Sequence, residues 1–322
     1  MTFLKRRHSL AALSLCALGI FNAQAQDYPT KPIRIIAPFP TGTGPDANTR
    51  EIAAELTKVL GQTVVVENRP GAANMIGMEA GAKAAPDGYT LVMGSTTSLS
   101  VVPHLYSKVP YAEKDFAPVS LVGLLNTSLT ANANVSQKNA AELIAHLKTK
   151  PDNIVAATSG VGSYSHLAGE WFAAGAGVPL KFVPYNTVSP YSDLVAGQVQ
   201  VSVQSLPSSI AFIKNGKINV LGVVNPKRIA ALPDSPTIGE TLKGFGTTPW
   251  YGVFAPAGTP KAIIAQLSAE IAKALDTKDV QERLAGVGCE PFKTQPEPFN
   301  ALIRSDLSRW AGIVKASGAS ID

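Results

Sequence analysis

The chain contains very little cysteine. Its 322 residues include only Cys16 and Cys289, and Cys16 lies in an N-terminal segment that we expect to be removed. A single remaining thiol cannot form an intrachain disulfide, which excludes the small disulfide-stapled folds. The remaining chain of about 297 residues, rich in Ala, Val, Leu and Ile, must therefore rely on a hydrophobic core, most readily as two domains.

Charge and histidine are also scarce. The formal net charge is +5, and three of the positive charges lie at residues 5–7, so removing the N-terminal segment leaves +2. This balance, without basic residues clustered among aromatic ones, argues against a nucleic-acid partner. The histidines of the chain are His8, His104, His146 and His166. None has metal-ligand spacing to another His, Cys or acid, so we expect neither a metal nor a cofactor.

Long apolar runs are confined to the N terminus. Basic residues at 5–8 precede an apolar run over 10–21 and an Ala-Gln-Ala sequence that ends at Ala25, which is the pattern of a secretory signal peptide. The run is too short for a stable membrane anchor, and no later run reaches transmembrane length. We expect cleavage after Ala25 and export. Cys16 offers a lipoprotein alternative, which the bulky Leu15 before it disfavours.

Predicted strands and helices alternate along the rest of the chain. Short apolar segments predict strands, and amphipathic segments with stop residues predict helices. We expect strands at 33–37, 64–66, 89–93, 154–157, 180–183, 199–203, 218–224 and 251–255. We expect helices at 46–60, 72–85, 140–148, 165–174, 190–196, 207–214, 260–275 and 298–316. Strands joined by helices predict an α/β fold of mostly parallel sheets flanked by helices.

Two stretches without helical periodicity, 117–135 and 247–255, are candidates for extended crossings between two lobes. Ligands in such sheets bind outside the carboxyl ends of the strands, so a cleft between the lobes would bring several loops face to face. The predicted organisation is a signal peptide over 1–25, a first lobe over 26–122 plus 249–322, and a second lobe over 123–248.

The loop over 38–46 is the first candidate binding element, because it follows a predicted strand and opens a predicted helix. Gly42 would allow close backbone approach, and a helix amino terminus presents free N–H groups to an anion. Thr41 and Thr43 add hydroxyl donors. A purely structural alternative is equally open, in which Asp46 caps the helix and the glycines form the turn.

Two further strand-ending loops are rich in hydroxyl groups. One contains Ser95, Thr96 and Thr97, and the other extends over 158–165 and contains Ser163. Each alone is typical of a solvated turn with a helix cap. Three such loops, with neutral donors and no nearby Lys or Arg, favour reversible binding of a carboxylate.

Two enzymatic interpretations remain as alternatives. His166 follows Ser163, which could form a nucleophile pair in an exported hydrolase, although the Gly-x-Ser-x-Gly elbow is absent. Residues 42–47 match Gly-x-Gly-x-x-Ala between a strand and a helix, and Glu67 ends the next strand, as in dinucleotide-binding folds. Pro45 and the long spacing from the strand disfavour the dinucleotide interpretation.

Several longer motifs point to one family. They are YPTKPI at 28–33, PFPTG at 38–42 with Asp46, VENRPGAA at 66–73, APDGYTL at 85–91, DFAPV at 115–119, SHLAGE at 165–170, VPY at 183–185, Trp250, and APAGTP at 255–260. In these motifs the sequence resembles the Bug-type, TctC-like extracytoplasmic solute receptors of tripartite tricarboxylate transporters. The resemblance covers nearly all of the chain after the signal peptide.

The resemblance implies a two-lobed α/β fold of the periplasmic binding protein type, with the ligand cleft between the lobes. It implies a periplasmic receptor without catalysis of its own. Such a receptor captures a small organic acid, a carboxylate or dicarboxylate that could be aromatic, and delivers it to a membrane permease. A two-component sensor is a further candidate partner, and we expect the receptor to be a monomer.

The resemblance also implies ligand contacts. They are Thr41, Gly42, Thr43, Asp46, Ser95, Thr96 and Thr97 in the first lobe, and Ser163, Tyr164, Tyr185 and Gln204 in the second. Two residues depart from the family pattern: Thr43 replaces a glycine, and Gln204 stands where many members have Asp. Because Gln204 is neutral and can donate and accept, we expect an acid or diacid in preference to an amino acid. Tyr164 and Tyr185 could line a flat slot or be structural.

Overall fold

The computed structural model describes residues 28–150, 153–185, 189–286 and 289–317. The predicted signal peptide at 1–25 and its cleavage site lie outside these residues. A compact unit covers Lys31–Asp322 and contains every element discussed below. In the short described segment before it, the Tyr28–Pro29 peptide bond is cis.

The strands of this unit are, in chain order, β1 (Ile33–Ala37), β2 (Val64–Asn68), β3 (Thr90–Ser95), β4 (Phe116–Leu125), β5 (Thr127–Asn132), β6 (Val155–Thr158), β7 (Lys181–Pro184), β8 (Val201–Ser205), β9 (Ile218–Val223), β10 (Trp250–Pro256) and β11 (Cys289–Pro291). The sequence pattern predicted most of them to within a few residues.

The helices are α1 (Gly44–Leu60), α2 (Met75–Ala82), α3 (Val102–Leu105), α4 (Ala140–Thr149), α5 (Tyr164–Ala176), α6 (Tyr191–Ala196), α7 (Leu206–Lys214), α8 (Ile238–Thr241), α9 (Lys261–Leu275), α10 (Lys278–Gly286) and α11 (Pro296–Ser317). A π-helical turn, Thr97–Val101, leads into α3. Short 3₁₀ turns lie at Ala72–Asn74 and Glu113–Asp115. Within the described ranges, no helix is both long and apolar enough to cross a membrane.

The strands form two sheets, which gives the predicted two-lobed α/β fold. The first sheet has the order β11-β4-β10-β3-β1-β2, and the second has the order β7-β6-β8-β5-β9. Among the named strands of the described residues, β2-β1-β3 pair in parallel in the first sheet and β7-β6-β8 in the second. The remaining pairs are antiparallel.

Both sheets are therefore mixed, and the expectation of mostly parallel sheets is corrected. The antiparallel pairs involve the strands on either side of the two chain crossings. A single residue, Asn126, joins β4 of the first sheet to β5 of the second. β5 lies between β8 and β9 and runs opposite to both, and β10 lies in the same way between β3 and β4.

Helical periodicity correctly predicted which faces pack against the sheets. In α9, Ile264, Leu267, Ile271 and Leu275 are buried along one stripe, as a 3.6-residue repeat requires. In α1, Ile52 and Leu56 are buried, whereas Val59, one turn further along, is 44% exposed. Gly61 ends α1 with a left-handed backbone conformation, which is the usual role of glycine after a helix.

Hydrogen bonds join the two chain crossings between the sheets. Leu125 N–H donates to the carbonyl of Pro249 at 2.8 Å, so the end of β4 is tied to the start of β10. Thr127 N–H donates to Asn225 Oδ1 at 3.0 Å, and Asn225 Nδ2 donates to Asn126 Oδ1 at 3.1 Å. A buried amide thus holds the single residue at which the chain passes from the first sheet to the second.

Helix α11 packs against elements of both sheets. Its N-terminal half contributes Phe299 and Ile303 to the core of the first sheet. Its C-terminal half contributes Trp310, which packs in a cluster with Leu167 of α5 from the second-sheet side. The helix therefore forms a third connection between the two sheets, in addition to the two chain crossings.

Candidate functional site

A cavity of about 700 Å³ lies where the ends of β1, β3, β6 and β8 meet the start of β10. Elements of both sheets contribute to its wall, as expected for a site outside the carboxyl ends of strands. Most of the residues predicted for ligand binding line this cavity: Thr43, Ser95, Thr96, Thr97, Ser163, Tyr164 and Gln204.

The other predicted residues lie outside the lining. Thr41 and Gly42 are exposed, and Asp46 is buried beneath the first loop. The hydroxyl of Tyr185 donates to Asp193 Oδ2 at 2.6 Å, and this bond raises the pKa of Tyr185 to about 12. Asp46 and Tyr185 therefore have structural partners, and none of these four residues belongs to the cavity lining.

Asp46 organises the first loop from within the protein. Its carboxylate is 2% exposed and accepts hydrogen bonds from Gly42 N–H at 2.8 Å, Asn68 Nδ2 at 2.7 Å and Arg50 Nε at 3.1 Å. Burial alone would raise the pKa of Asp46, but these hydrogen bonds outweigh burial and hold the pKa below its ordinary value. Gly42 N–H is consequently committed to Asp46 and does not point to a ligand.

Thr43 is the residue of this loop that combines a hydroxyl with a place on the cavity wall. It is the N-cap residue of α1, but its side chain does not cap the helix. Instead, Thr43 Oγ1 donates to the carbonyl of Pro40 at 2.8 Å. Asp46 therefore has a structural role in this loop, as the capping alternative proposed. The N-cap residue is Thr43, however, and Asp46 is the third residue of the helix.

The loop after β3 presents Ser95, Thr96 and Thr97 to the cavity. Ser95 is tied to Ser98, whose Oγ accepts from Ser95 N–H at 3.0 Å. Thr96 Oγ1 accepts from Trp250 N–H at 2.9 Å. Because that bond uses the oxygen of Thr96 as an acceptor, the hydroxyl hydrogen is left to be donated to another group.

The loop between β6 and α5 is held by serine hydroxyls. Ser163 is the N-cap of α5: its Oγ accepts from His166 N–H at 3.2 Å and donates to Gly160 O at 2.7 Å. Ser159 Oγ donates to Gln204 Oε1 at 2.9 Å, which connects the loop to the end of β8. The sequence prediction included Ser163 and Gln204 but missed Ser159, although its place directly after a strand was a usable signal.

The structure does not pair Ser163 with His166 as the hydrolase interpretation requires. His166 Nδ1 accepts from Gly162 N–H at 3.3 Å, and His166 Nε2 lies 3.6 Å from Glu170 Oε1. Neither ring nitrogen is paired with Ser163 Oγ, which donates to Gly160 O. Burial also lowers the pKa of His166. A nucleophile needs a hydrogen-bonded base, so Ser163 acts here as a helix cap.

The structure argues against the dinucleotide interpretation, because the acid that would bind a ribose already has partners within the protein. Glu67, at the position where a ribose-binding acid would stand, is paired with Arg34 at 2.9 Å and with Arg69 at 2.5 Å. The hydrogen bond from Arg69 is the main reason that the pKa of Glu67 is lowered. The carboxylate is therefore held by Arg34 on β1 and by Arg69 directly after β2 instead of facing a ligand.

Tyr164 lies at the junction of the cavity and α11. Its ring lines the cavity and packs edge-on against Trp310 with 5.6 Å between ring centroids. Its hydroxyl donates to Thr247 O at 3.3 Å, and burial raises its pKa. Tyr164 thus combines the two roles that the sequence left open, because it is both a wall of the cavity and a structural contact.

The cavity wall offers polar groups without charge. None of the lining residues that the structure describes carries an acidic or basic side chain. Lining residues absent from the prediction include Tyr106, Ser159, Ser205, Ser208 and Tyr251. Within the described ranges, no group of three or more His, Cys, Asp or Glu is arranged to hold a metal ion. The arrangement suits hydrogen bonding to a small polar molecule.

Comparison with known proteins places the chain in a family. The model of the tripartite tricarboxylate transporter family receptor, TctC, matches residues 48–319. Protein BugT of Bordetella pertussis is 35% identical over 319 residues, covering 95% of this chain and 98% of BugT. The fold is also shared with solved relatives.

Two of these structures contain a bound acid. R. palustris Rpa4515 with adipate has a TM-score of 0.82 at 30% identity and covers 91% of this chain and 99% of its own. MatC from Rhodopseudomonas palustris with bound malate has a TM-score of 0.76 at 31% identity, with coverages of 89% and 100%. On the family match and the BugT identity, this chain belongs to the TctC family of tripartite tricarboxylate transporter receptors.

Proposed function

We propose that this protein is a periplasmic receptor that captures a small organic acid in the cavity between the two sheets. The observation that carries the proposal is the wall itself, where hydroxyl and amide groups from strand ends of both sheets face one space of about 700 Å³. Uncharged donors bind a carboxylate reversibly, since they form hydrogen bonds without the strong attraction of an Arg or Lys.

The relatives support a carboxylate as the ligand. Rpa4515 is described with adipate and MatC with malate, and both acids carry two carboxylates. This chain shares their fold over about nine-tenths of its length. We extend the ligand class to it, as a mono- or dicarboxylate small enough for the cavity.

Export, partners and lack of catalysis complete the proposal. The signal peptide directs the chain to the periplasm and is cleaved after Ala25. The loaded receptor, a monomer, delivers its ligand to the membrane permease of a tripartite transporter and has no catalytic activity. Docking to a two-component sensor is the alternative use of the same loaded state, and co-purification of the receptor with membranes that contain one or the other partner distinguishes them.

The lobes of the proposed receptor follow the sheets. The first lobe consists of residues 26–122 and 249–322, and the second of residues 123–248. The end of β4 and the start of β10 in the first sheet lie within three residues of these bounds, which supports them. Binding closes the lobes by a hinge motion at the crossings.

A calorimetric titration tests the proposal. Adipate, malate, succinate and benzoate are titrated into the mature protein, and thermal unfolding is followed with each acid, since a ligand that binds only the folded state raises the midpoint. Thr97→Val, on the cavity wall, should weaken binding by about tenfold or more. Thr149→Val, exposed on α4, is the matched control and should bind normally. Failure of every acid in a broad panel would refute the proposal.

A further inference from the structure

The loop between β6 and α5 lines the cavity and is held by side chains of the helix that follows it. Residues 159–163 all belong to the cavity lining. Ser163 Oγ donates to Gly160 O at 2.7 Å, and His166 Nδ1 accepts from Gly162 N–H at 3.3 Å. A serine hydroxyl keeps its hydrogen-bonding capacity between pH 5 and 8, whereas an imidazole does not. Of these two bonds, the one from Gly162 is therefore the one that acidification can remove.

The bond from Gly162 fixes the protonation state of the imidazole. Because Nδ1 accepts this bond, its lone pair is free of a proton, so the ring is neutral and carries its hydrogen on Nε2. Nε2 lies 3.6 Å from Glu170 Oε1, one turn further along α5. On the side of β7, the ring packs edge-on against the uncharged ring of Phe182, with 5.6 Å between centroids. Among these contacts of the imidazole, Glu170 is the charged group.

Several effects favour the neutral ring, and one favours the charged ring. Burial penalises an imidazolium, and the side chain of His166 is only 15% exposed. His166 is the third residue of α5, and a helix amino terminus disfavours positive charge. Glu170 acts in the opposite direction, but its carboxylate lies beyond hydrogen-bond distance of the ring, and burial raises its own pKa. Burial prevails and holds the pKa of His166 below its ordinary value.

We propose that His166 is a positioning residue of the binding loop, which it holds through Gly162 only as a neutral imidazole, so that its protonation releases the loop and weakens ligand capture. The inference rests on the proposed function and adds a pH-dependent control to the same site. A proton on Nδ1 would turn one N–H donor against another and leave both unpaired. Gly160 and Gly162 have φ values of +116° and +74°. Since glycine reaches many backbone conformations, the released loop has others to adopt.

Calorimetric titration at two pH values measures the effect. An NMR titration of the ring nitrogens in the unliganded protein first gives the pKa of His166, and the lower pH is set one unit below it. Most of the rings are then protonated, so adipate, malate, succinate or benzoate should bind about tenfold more weakly than at pH 7.5 if only the neutral ring holds the loop. At pH 7.5 the ring spectrum should show the hydrogen on Nε2.

Variants separate the protonation of His166 from that of the titrated acid. His166→Asn places an uncharged acceptor where Nδ1 stood, so it should bind normally at pH 7.5, and any loss that it shows at the lower pH reports the acid itself. His166→Phe keeps a ring against Phe182 without an acceptor and should bind about tenfold more weakly at pH 7.5. Glu170→Gln removes the opposing charge and should move the loss of affinity to lower pH. His146→Asn, on α4 of the same lobe, is the matched control and should keep the wild-type profile.

The outcomes separate the inference from the proposed function. If wild type and His166→Asn lose affinity equally at the lower pH, the inference is wrong while the receptor function stands. Tighter binding in acid would also overturn it, because that is the result expected of an imidazolium that attracts the ligand directly. If no acid binds the wild-type protein at pH 7.5, the proposed function is wrong, and the inference falls with it. Thermal unfolding of each variant at both pH values shows whether a lost affinity reflects a lost fold.

Discussion

Replacing Asp46 by Ala tests whether this carboxylate organises the first loop or contacts the ligand. The substitution removes the acceptor of three hydrogen bonds, from Gly42 N–H, Asn68 Nδ2 and Arg50 Nε. Hydrogen bonds to a charged group contribute about 1.5–3 kcal/mol each. Gly42 is exposed and can turn to water, and Arg50 keeps its 2.8 Å bond to Asn68 Oδ1.

We therefore expect a net loss well below the sum of the three bonds, about 2–3 kcal/mol in the free energy of unfolding. For a chain of this size that corresponds to a fall of about 4–12 °C in the unfolding midpoint. The expected loss of ligand affinity is smaller, because Asp46 does not line the cavity.

The pH dependence of the stability difference tests the role of the Asp46 carboxylate more directly. The folded protein holds the pKa of Asp46 below its unfolded value, so the stabilisation is present above the unfolded pKa and is lost as the pH falls through the folded pKa. The difference in stability between wild type and Asp46→Ala should be largest near neutral pH and should shrink in acid. Unfolding followed by circular dichroism from pH 3 to 8 measures it.

Asp234→Ala, which removes an exposed carboxylate, is the matched control and should leave the midpoint nearly unchanged. A difference between wild type and Asp46→Ala that stays constant across this range would contradict the assignment of the hydrogen-bonded carboxylate. Wild-type stability combined with abolished binding would show that Asp46 contacts the ligand after all.

Three further substitutions or reagents probe other parts of the molecule. Gly42→Ala should cost about 1–2 kcal/mol of stability, as measured by urea unfolding, because its φ of +82° is unfavourable for a side chain; the added Cβ would meet no atom within 4 Å, so binding should persist. Burial raises the pKa of Asp306, which accepts from the Trp250 indole at 2.8 Å. Its charged form therefore costs stability as pH rises, and Asp306→Asn should stabilise the protein on the order of 1 kcal/mol at pH 7 and not below pH 4. Burial also raises the pKa of Cys289 to about 12, so an aromatic disulfide reagent at pH 8 should label this thiol only after unfolding; rapid labelling of the native protein would be contrary evidence.

Local sequence patterns predicted the elements of the fold but not the direction of every strand. The stripe along α9 and the alternation of strands and helices depend on residues close in sequence, which periodicity records. The antiparallel insertion of β5 and β10 depends on where the chain passes between sheets. Nothing in the local pattern around Asn126 shows that one residue separates two strands of different sheets.

The candidate site shows the same limit at the scale of single side chains. A loop between a strand and a helix is readily recognised, and the loops containing Thr43, Thr96 and Ser163 do line the cavity. Spacing alone does not show which way a side chain turns. Asp46 turned inward because Asn68, on the neighbouring strand, offers it a hydrogen bond, and Tyr185 turned to Asp193 for the same reason.

Trp250 connects the cavity wall to the second chain crossing and to α11. Its backbone N–H is held by Thr96 and its indole by Asp306 of α11, while its neighbour Pro249 accepts from Leu125 at the other crossing. Trp250, Pro249 and Leu125 all line the cavity. A ligand that presses on this wall therefore presses on the residues at which the chain changes sheets. The second crossing is therefore part of the cavity wall as well as part of the connection between the two sheets.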